Sequence, residues 1–274
     1  MLYNKKKQPI IVLGMHRSGT SLISEILNDI GVFMGNDLNV HNESKSILRI
    51  NEAILSFSHT FWDYPLNIKS LYKDQSGYDN TLSFIKENIE GRKFRRNFFG
   101  KQKKEFNNNN LIWGWKEPRT TITFPLWYKL FPNAKFIFLH RNGIDVAQSL
   151  YFREKQRQGK FHDGIHSVRC LDFREAFKLW EEYNGFYEGN KNIINGKNLI
   201  SFSYEEFIEN PVKQISNLAE FVEIHIDKKI TDKIIHKLKA SNTFKFKKDE
   251  NLKKYYLDNK NHYLMRKYRY DKIL

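Results

Sequence analysis

The chain has 274 residues, 40% hydrophobic and 15% aromatic, which suits one α/β domain with a real core and is too short for two large ones. Lys and Arg total 46 against 31 Asp and Glu, a formal net charge of +15, so a polyanionic partner is expected: a phosphate-bearing cofactor, an acidic glycan, nucleic acid or an anionic membrane. The lone Cys170 excludes an internal disulfide scaffold, and no stretch approaches the ~18 apolar residues of a spanning helix, so a soluble, cytoplasmic protein is expected.

Met1 to Pro9 is basic, but the apolar run behind it, Ile10-Ile11-Val12-Leu13, is too short for a signal-peptide core. It reads instead as a strand buried on both faces and ending at Gly14. Leu22, Ile23, Ile26, Leu27 and Ile30 then recur at helical spacing, with Gly31 placed to end the helix. Residues from about 36 to 110 are mostly helical or irregular and close on the asparagine run 107–110, which reads as a loop. This stretch is expected to be an insertion forming an acceptor-side lid.

Leu111 to Lys116 is a second predicted strand, stopped by Pro118, and Lys135 to His140 is a third. Arg141-Asn142-Gly143 makes a turn into a helix over Ile144 to Tyr151. Asn198 to Tyr204 is the fourth strand, and Pro211 to Val222 has helical spacing at Val212, Ile215, Leu218, Ala219 and Val222. Strands alternating with helices predict a doubly wound parallel sheet within a single domain, 1–274. The tail from about 245 to 274 is dense in Lys, Arg and Tyr and is expected to pack partly over the cofactor pocket.

Gly14-Met15-His16-Arg17-Ser18-Gly19-Thr20-Ser21 joins the first strand to the first helix, where backbone N–H groups and a helix N-terminus favour an anion. The glycine spacing matches the P-loop G-x-x-x-x-G-K-[ST], yet Thr20 stands where that motif has its lysine. Without the lysine that holds the γ-phosphate, kinase or ATPase chemistry is hard to reconcile. No acidic Mg²⁺ site is evident, and no metal is expected. Arg17-Ser18-Gly19-Thr20-Ser21 after a buried strand is similar to the 5'-phosphosulfate loop of sulfotransferases that use 3'-phosphoadenosine-5'-phosphosulfate (PAPS). The resemblance implies that Arg17, Ser18, Gly19, Thr20 and Ser21 cradle the 5'-phosphosulfate. It also implies a three-layer P-loop NTPase-like fold, its central parallel sheet flanked by helices.

A second segment, His140 to Ser149, resembles the family's R-[DN]-x-x-x-x-x-x-S motif, which would put Arg141 and Ser149 on the 3'-phosphate. Ser149 lies about two helical turns beyond Arg141, so both fit one clamp. Lys116-Glu117-Pro118 resembles the K-[DE]-P motif of bacterial, glycan and protein-tyrosine members, and by that likeness Lys116 stabilises the leaving group. Arg119 either adds a contact there or pairs with Glu117. Tyr204 to Pro211 matches a further family pattern and reads as structural, a strand end leading into a capped helix.

The acceptor must lose a proton, so a base is expected near the sulfonate. Cytosolic members use a His after the lysine strand, and this chain has none between Trp113 and Leu139. Glycan and protein-tyrosine members use a Glu after the first helix, where this chain offers Asp37, His41 and Glu43. Glu43 is the preferred base and His41 the reserve. Expected partners are the sulfate donor PAPS, released as adenosine 3',5'-bisphosphate, and a small-molecule or glycan acceptor. Phe61, Trp62 and Tyr64 are candidates to stack on that acceptor, and Arg92, Lys93, Arg95 and Arg96 to attract an acidic glycan. No nucleic-acid motif is present. The competing classes are a nucleotide kinase with a degenerate P-loop and a non-catalytic basic polyanion-binding protein.

Overall fold

The computed structural model describes residues 8–107, 110–157, 167–238 and 243–274. Two segments read from the sequence, the basic Met1 to Lys7 and the centre of the asparagine run at Asn108 and Asn109, lie outside the described residues.

Strand β1 (Ile10–Leu13) feeds helix α1 (Thr20–Asp29). The 36–110 stretch carries α2 (Lys45–Phe57), α3 (Ile68–Lys73), α4 (Gln75–Glu90), α5 (Arg92–Phe94) and α6 (Lys103–Asn107). Strand β2 (Gly114–Lys116) leads to α7 (Thr120–Leu130), and β3 (Lys135–His140) to α8 (Gly143–Arg157) and α9 (Phe173–Asn190). After β4 (Leu199–Ser203) come α10 (Tyr204–Glu209), α11 (Pro211–Phe221), α12 (Lys228–Lys237), α13 (Glu250–Asn259) and α14 (Tyr263–Lys267). Among the described residues, no helix is long and apolar enough to cross a membrane.

The sheet runs β2-β1-β3-β4 and every pair is parallel, as the apolar strand sequences require. Side chains of β1 alternate between two cores. Ile11 and Leu13 join Trp115, Phe136 and Phe138 beneath α2, α7 and α9, whereas Ile10 and Val12 join Ile137 and Leu139 against α1 and α11. The result is a helix–sheet–helix sandwich.

Two strand limits differ from expectation for local reasons. The edge strand starts at Gly114 rather than Leu111, because Phe33 forms a single bridge with Trp113 there. Phe33 N–H donates to Ile112 O at 2.9 Å, and its own carbonyl takes the Gly114 amide at 2.9 Å. Strand β4 stops at Ser203, whose hydroxyl caps α10, so Tyr204 opens a helix instead of closing a strand.

Candidate active site

All four strands point their carboxyl ends at one edge of the sheet, where ligands of open α/β sheets bind. At that edge the first turn is shaped by two glycines. Gly14 has φ +146°, and a Cβ there would lie 2.5 Å from Leu139 O. Gly19 has φ +91°, and a Cβ there would run into the Tyr204 ring. Arg17 between them also takes a left-handed φ of 68°. Helix α1 opens on Gly19 with no capping side chain and no acidic residue in its first turn. The buried Ser18 Oγ has no hydrogen-bond partner among the described residues. A turn of this kind suits an anion, which would partner the hydroxyl and the first-turn amides together.

Beside this turn stands Lys116, at the end of β2 and only 1% exposed. Its Nζ donates to His41 O at 2.6 Å, Glu43 Oε1 at 3.2 Å and Ser21 Oγ at 3.3 Å. Burial pulls the Lys116 ammonium below its usual range, and the Glu43 carboxylate opposes that pull. Ser21 Oγ donates to the same His41 carbonyl at 2.8 Å, which ties helix α1 to the 37–43 loop. Glu43 keeps its second oxygen on Asn39 Nδ2, 2.9 Å away, and retains acceptor capacity beyond these two contacts.

The second turn, at the end of β3, holds Arg141. Its guanidinium lies over the Tyr204 ring at 4.6 Å, donates to Arg17 O at 3.2 Å and sits 3.5 Å from Asp145 Oδ2. Asn142 Oδ1 accepts the amides of Ile144 and Asp145, which starts α8. Arg17 Nε donates to Ser149 Oγ at 2.8 Å, so the two turns touch across the cleft. The cleft has a volume of 460 Å³ and is lined by Arg17, Arg141, Gln148, Ser149, Arg153 and Lys245, with Asp145 its lone carboxylate among the described residues. Asp145 is already engaged by Arg141 and by the Phe246 amide at 3.2 Å. Burial and the crowding of Arg153, Arg141 and Arg157 pull the Arg17 guanidinium below its usual range. Arg141 is paired with Asp145 and Arg153 with Glu154 at 2.6 Å, yet four basic side chains around one cavity still favour a multiply charged anion.

The predicted residues therefore fall into two joined groups: Ser21, His41, Glu43 and Lys116 on one side, Arg17, Arg141 and Ser149 on the other. His41 enters the first group through its carbonyl, while its side chain is exposed. Asp37 stands apart, its carboxylate accepting from Ser44 Oγ and the Ser46 amide to brace the start of α2. Arg119 pairs with Glu117 at 2.6 Å, the structural one of its two expected roles. Phe61 and Tyr64 are exposed and Trp62 is buried, and Arg92, Lys93 and Arg96 are exposed on a surface segment.

Four further side chains line or border the site without being named from the sequence as part of it. Tyr204 reads there as structural, yet its ring fills the space at Gly19 and supports Arg141. Arg153 does carry a signal: Asp145, Ser149 and Arg153 are spaced four apart and share a face of α8. Lys245 reaches the cleft from the basic tail, which is expected over the pocket, although no local signal singles out this lysine. His16 packs edge-on to Trp62 with ring centroids 4.8 Å apart. Burial first, then Arg119, Arg153, Lys116 and Arg17, hold its imidazole well below the usual histidine range, so it is neutral at physiological pH.

Comparison with known proteins bears on this geometry. A profile described as "Sulfotransferase family" matches residues 9–228. Protein-tyrosine sulfotransferase A of Caenorhabditis elegans is 26% identical over 121 residues, 44% of this chain and 29% of that protein. Sulfotransferase 1B1 of Canis lupus familiaris is 28% identical over 137 residues, 45% of this chain and 40% of that protein. The chain thus matches well under half the length of these curated relatives. Among solved structures, sulfotransferase STF9 from Mycobacterium avium has a TM-score of 0.53 at 14% identity, covering 94% of this chain and 78% of that one, a likeness of fold.

Proposed function

The chain belongs to the sulfotransferase family, and on that premise we propose that it transfers a sulfuryl group from PAPS to an acceptor hydroxyl or amine, carried by a carbohydrate. The observation that carries this reading is the convergence of Arg17, Arg141 and Ser149 on one cationic cleft beside the Lys116–Glu43 pair. When bound, PAPS supplies the sulfuryl group and departs as adenosine 3',5'-bisphosphate.

The residues present fit that donor. Ser18 Oγ is an unpartnered donor beside the uncapped start of α1 for its 5' end, and Arg141 with Ser149 offers a fork and a hydroxyl for its 3'-phosphate. Glu43 takes the proton that the acceptor loses as its oxygen or nitrogen bonds to sulfur. Lys116, buried and aimed by Ser21 and the His41 carbonyl, stabilises the bridging oxygen as its bond to sulfur breaks, and Arg17 shares that charge. Preorganised cations in a dry site do this without reorganising at the moment of reaction.

Pairing of Glu43 with Lys116 supports the glutamate arrangement of glycan and protein-tyrosine members. Exposed Phe61 offers a ring face on which a sugar acceptor would stack. Cys170, buried and with no second thiol in the chain, supports a cytoplasmic setting.

The test is calorimetric titration with adenosine 3',5'-bisphosphate, without Mg²⁺, beside ATP and AMP, followed by transfer from labelled PAPS to sugar and tyrosine-peptide acceptors. Bisphosphate binding that Arg17→Ala and Arg141→Ala each weaken strongly, yet leave measurable, is expected. Preference for ATP with Mg²⁺ would overturn the donor assignment, and labelling of the peptide alone would overturn the acceptor.

A further inference from the structure

Residues 243–274 lie beyond the span that matches the family, 9–228, yet they reach the back of the Arg141 turn. Tyr270 is 3% exposed, and its hydroxyl donates to Glu205 Oε2 at 2.7 Å while facing His140 Nδ1 at 2.9 Å. Glu205 Oε1 in turn accepts the backbone amide of Asn142 at 2.9 Å. Ser203 Oγ donates to Glu205 Oε2 at 2.9 Å. Glu205 therefore holds the peptide group that directly follows Arg141 through one oxygen, and is itself held by Tyr270 and Ser203 through the other. The carbonyl end of the same peptide group is held by Trp180 Nε1, which donates to Arg141 O at 3.0 Å.

The tail is anchored to this turn from two sides. Tyr268 stacks on the His140 ring with centroids 4.1 Å apart, and within the tail Tyr270 N–H donates to Met265 O at 2.7 Å, which fixes the chain that carries both tyrosines. At the opposite end of the tail, the Phe246 amide binds Asp145, the same carboxylate that Arg141 contacts. A buried carboxylate keeps its charge only when its donors remain, because an uncompensated charge in a dry site is costly. Burial already pushes the Glu205 carboxyl above its usual range, with the Asn142 amide and the Tyr270 hydroxyl among the donors that oppose the shift. Removing the Tyr270 hydroxyl favours a protonated Glu205, which is a weaker acceptor for the Asn142 amide.

We infer that Tyr270 is a positioning residue: through Glu205 and the Asn142 amide it fixes the aim of Arg141, and so sets how strongly the site prefers a nucleotide carrying a 3'-phosphate. The inference rests on the assignment of Arg141 to the 3'-phosphate proposed above. Tyr270 does not itself touch the ligand. Its effect is therefore confined to the part of the binding energy that Arg141 delivers.

The full chain and its Tyr270→Phe, Glu205→Gln, Arg141→Ala and Arg141→Ala/Tyr270→Phe variants would be titrated with adenosine 3',5'-bisphosphate and with AMP, and their thermal midpoints recorded. Tyr270→Phe keeps the ring that packs the tail, and Glu205→Gln keeps the volume, so either can report if the other misfolds. Both are expected to lose about tenfold in bisphosphate affinity with AMP affinity nearly unchanged, the size of one hydrogen bond to a charged group. In the Arg141→Ala background, Tyr270→Phe should cost nothing further. An unchanged ratio of bisphosphate to AMP affinity in both single variants, or equal losses for the two ligands, would overturn the inference while leaving the donor assignment intact. A wild-type chain that binds AMP as well as the bisphosphate would overturn both.

Discussion

Arg17 and Ser149 are 132 positions apart in the chain, and the Arg17 guanidinium donates to the Ser149 hydroxyl at 2.8 Å. One residue belongs to the turn after β1 and the other to helix α8 after β3, so this contact joins the two halves of the cleft. Under the proposed donor assignment Ser149 has two tasks, offering its hydroxyl to the 3'-phosphate and holding Arg17 in place.

Ser149→Ala should therefore weaken bisphosphate binding by about tenfold, more than a lone neutral hydroxyl contributes. Its effect should be non-additive with Arg17→Ala, since the two side chains share a contact. Calorimetry on the two single variants and the double variant measures this. Strict additivity would mean that the Arg17–Ser149 contact carries no energy.

Glu43→Gln should lower turnover by about 10²- to 10⁴-fold, the usual worth of a general base, with bisphosphate affinity kept within a few-fold of wild type. His41→Ala should cost less, because His41 meets Lys116 through a carbonyl that alanine retains. Single-turnover transfer from labelled PAPS ranks the two. A larger loss for His41→Ala would move the base assignment to the imidazole.

Gly19→Ala should destabilise the protein by about 1–3 kcal/mol and weaken donor binding with it. The residue must hold φ +91°, and the new methyl group must displace the Tyr204 ring, which also lies beneath Arg141. Thermal unfolding with and without the bisphosphate reads both effects. A variant with wild-type melting temperature would show that the turn relaxes freely.

Acid should loosen the fold through His140. Burial pushes its imidazole down to about 4, with Lys191 reinforcing the shift and Glu188 opposing it. The unfolded chain, with a histidine value near about 6.5, binds more protons than the folded one between those limits. Stability should thus rise with pH across that window and fall on acidification, by about 3 kcal/mol in all for this group. Denaturant melts at stepped pH would show the slope, and His140→Gln should flatten it. An unaltered slope in that variant would assign the effect to other groups, His16 first among them.

Buried apolar runs such as Ile10 to Leu13 are legible in the sequence because a strand covered on both faces has no polar alternation to hide it. The glycine-bounded turn is legible because its spacing is local. Helix α9 is not, although its buried Phe177, Trp180, Asn184 and Tyr187 recur at helical spacing. Its aromatic content suits a strand by residue preference, so only the spacing of these positions points to a helix there. The proximity of Glu43 and Lys116 follows from a family likeness, since nothing between positions 43 and 116 announces that contact. Tyr204 and Tyr270 are silent for a related reason: their partners are Gly19, Arg141 and Glu205, reached only through the tertiary fold.

The sheet order has a kinetic consequence. Strand β1 stands between β2 and β3, so Ile10 pairs with Gly114 and Lys135 and with nothing nearby in sequence. Closing such long loops must precede any reward from the contacts they bring, and parallel pairing of this kind folds slowly. The turn that β1 carries gains its Gly14–Thr121 hydrogen bond, which spans 107 positions, only after that closure. Recovery of donor binding after dilution from denaturant should accordingly lag behind recovery of helical signal, with the N-terminal strand among the last parts of the molecule to find its place.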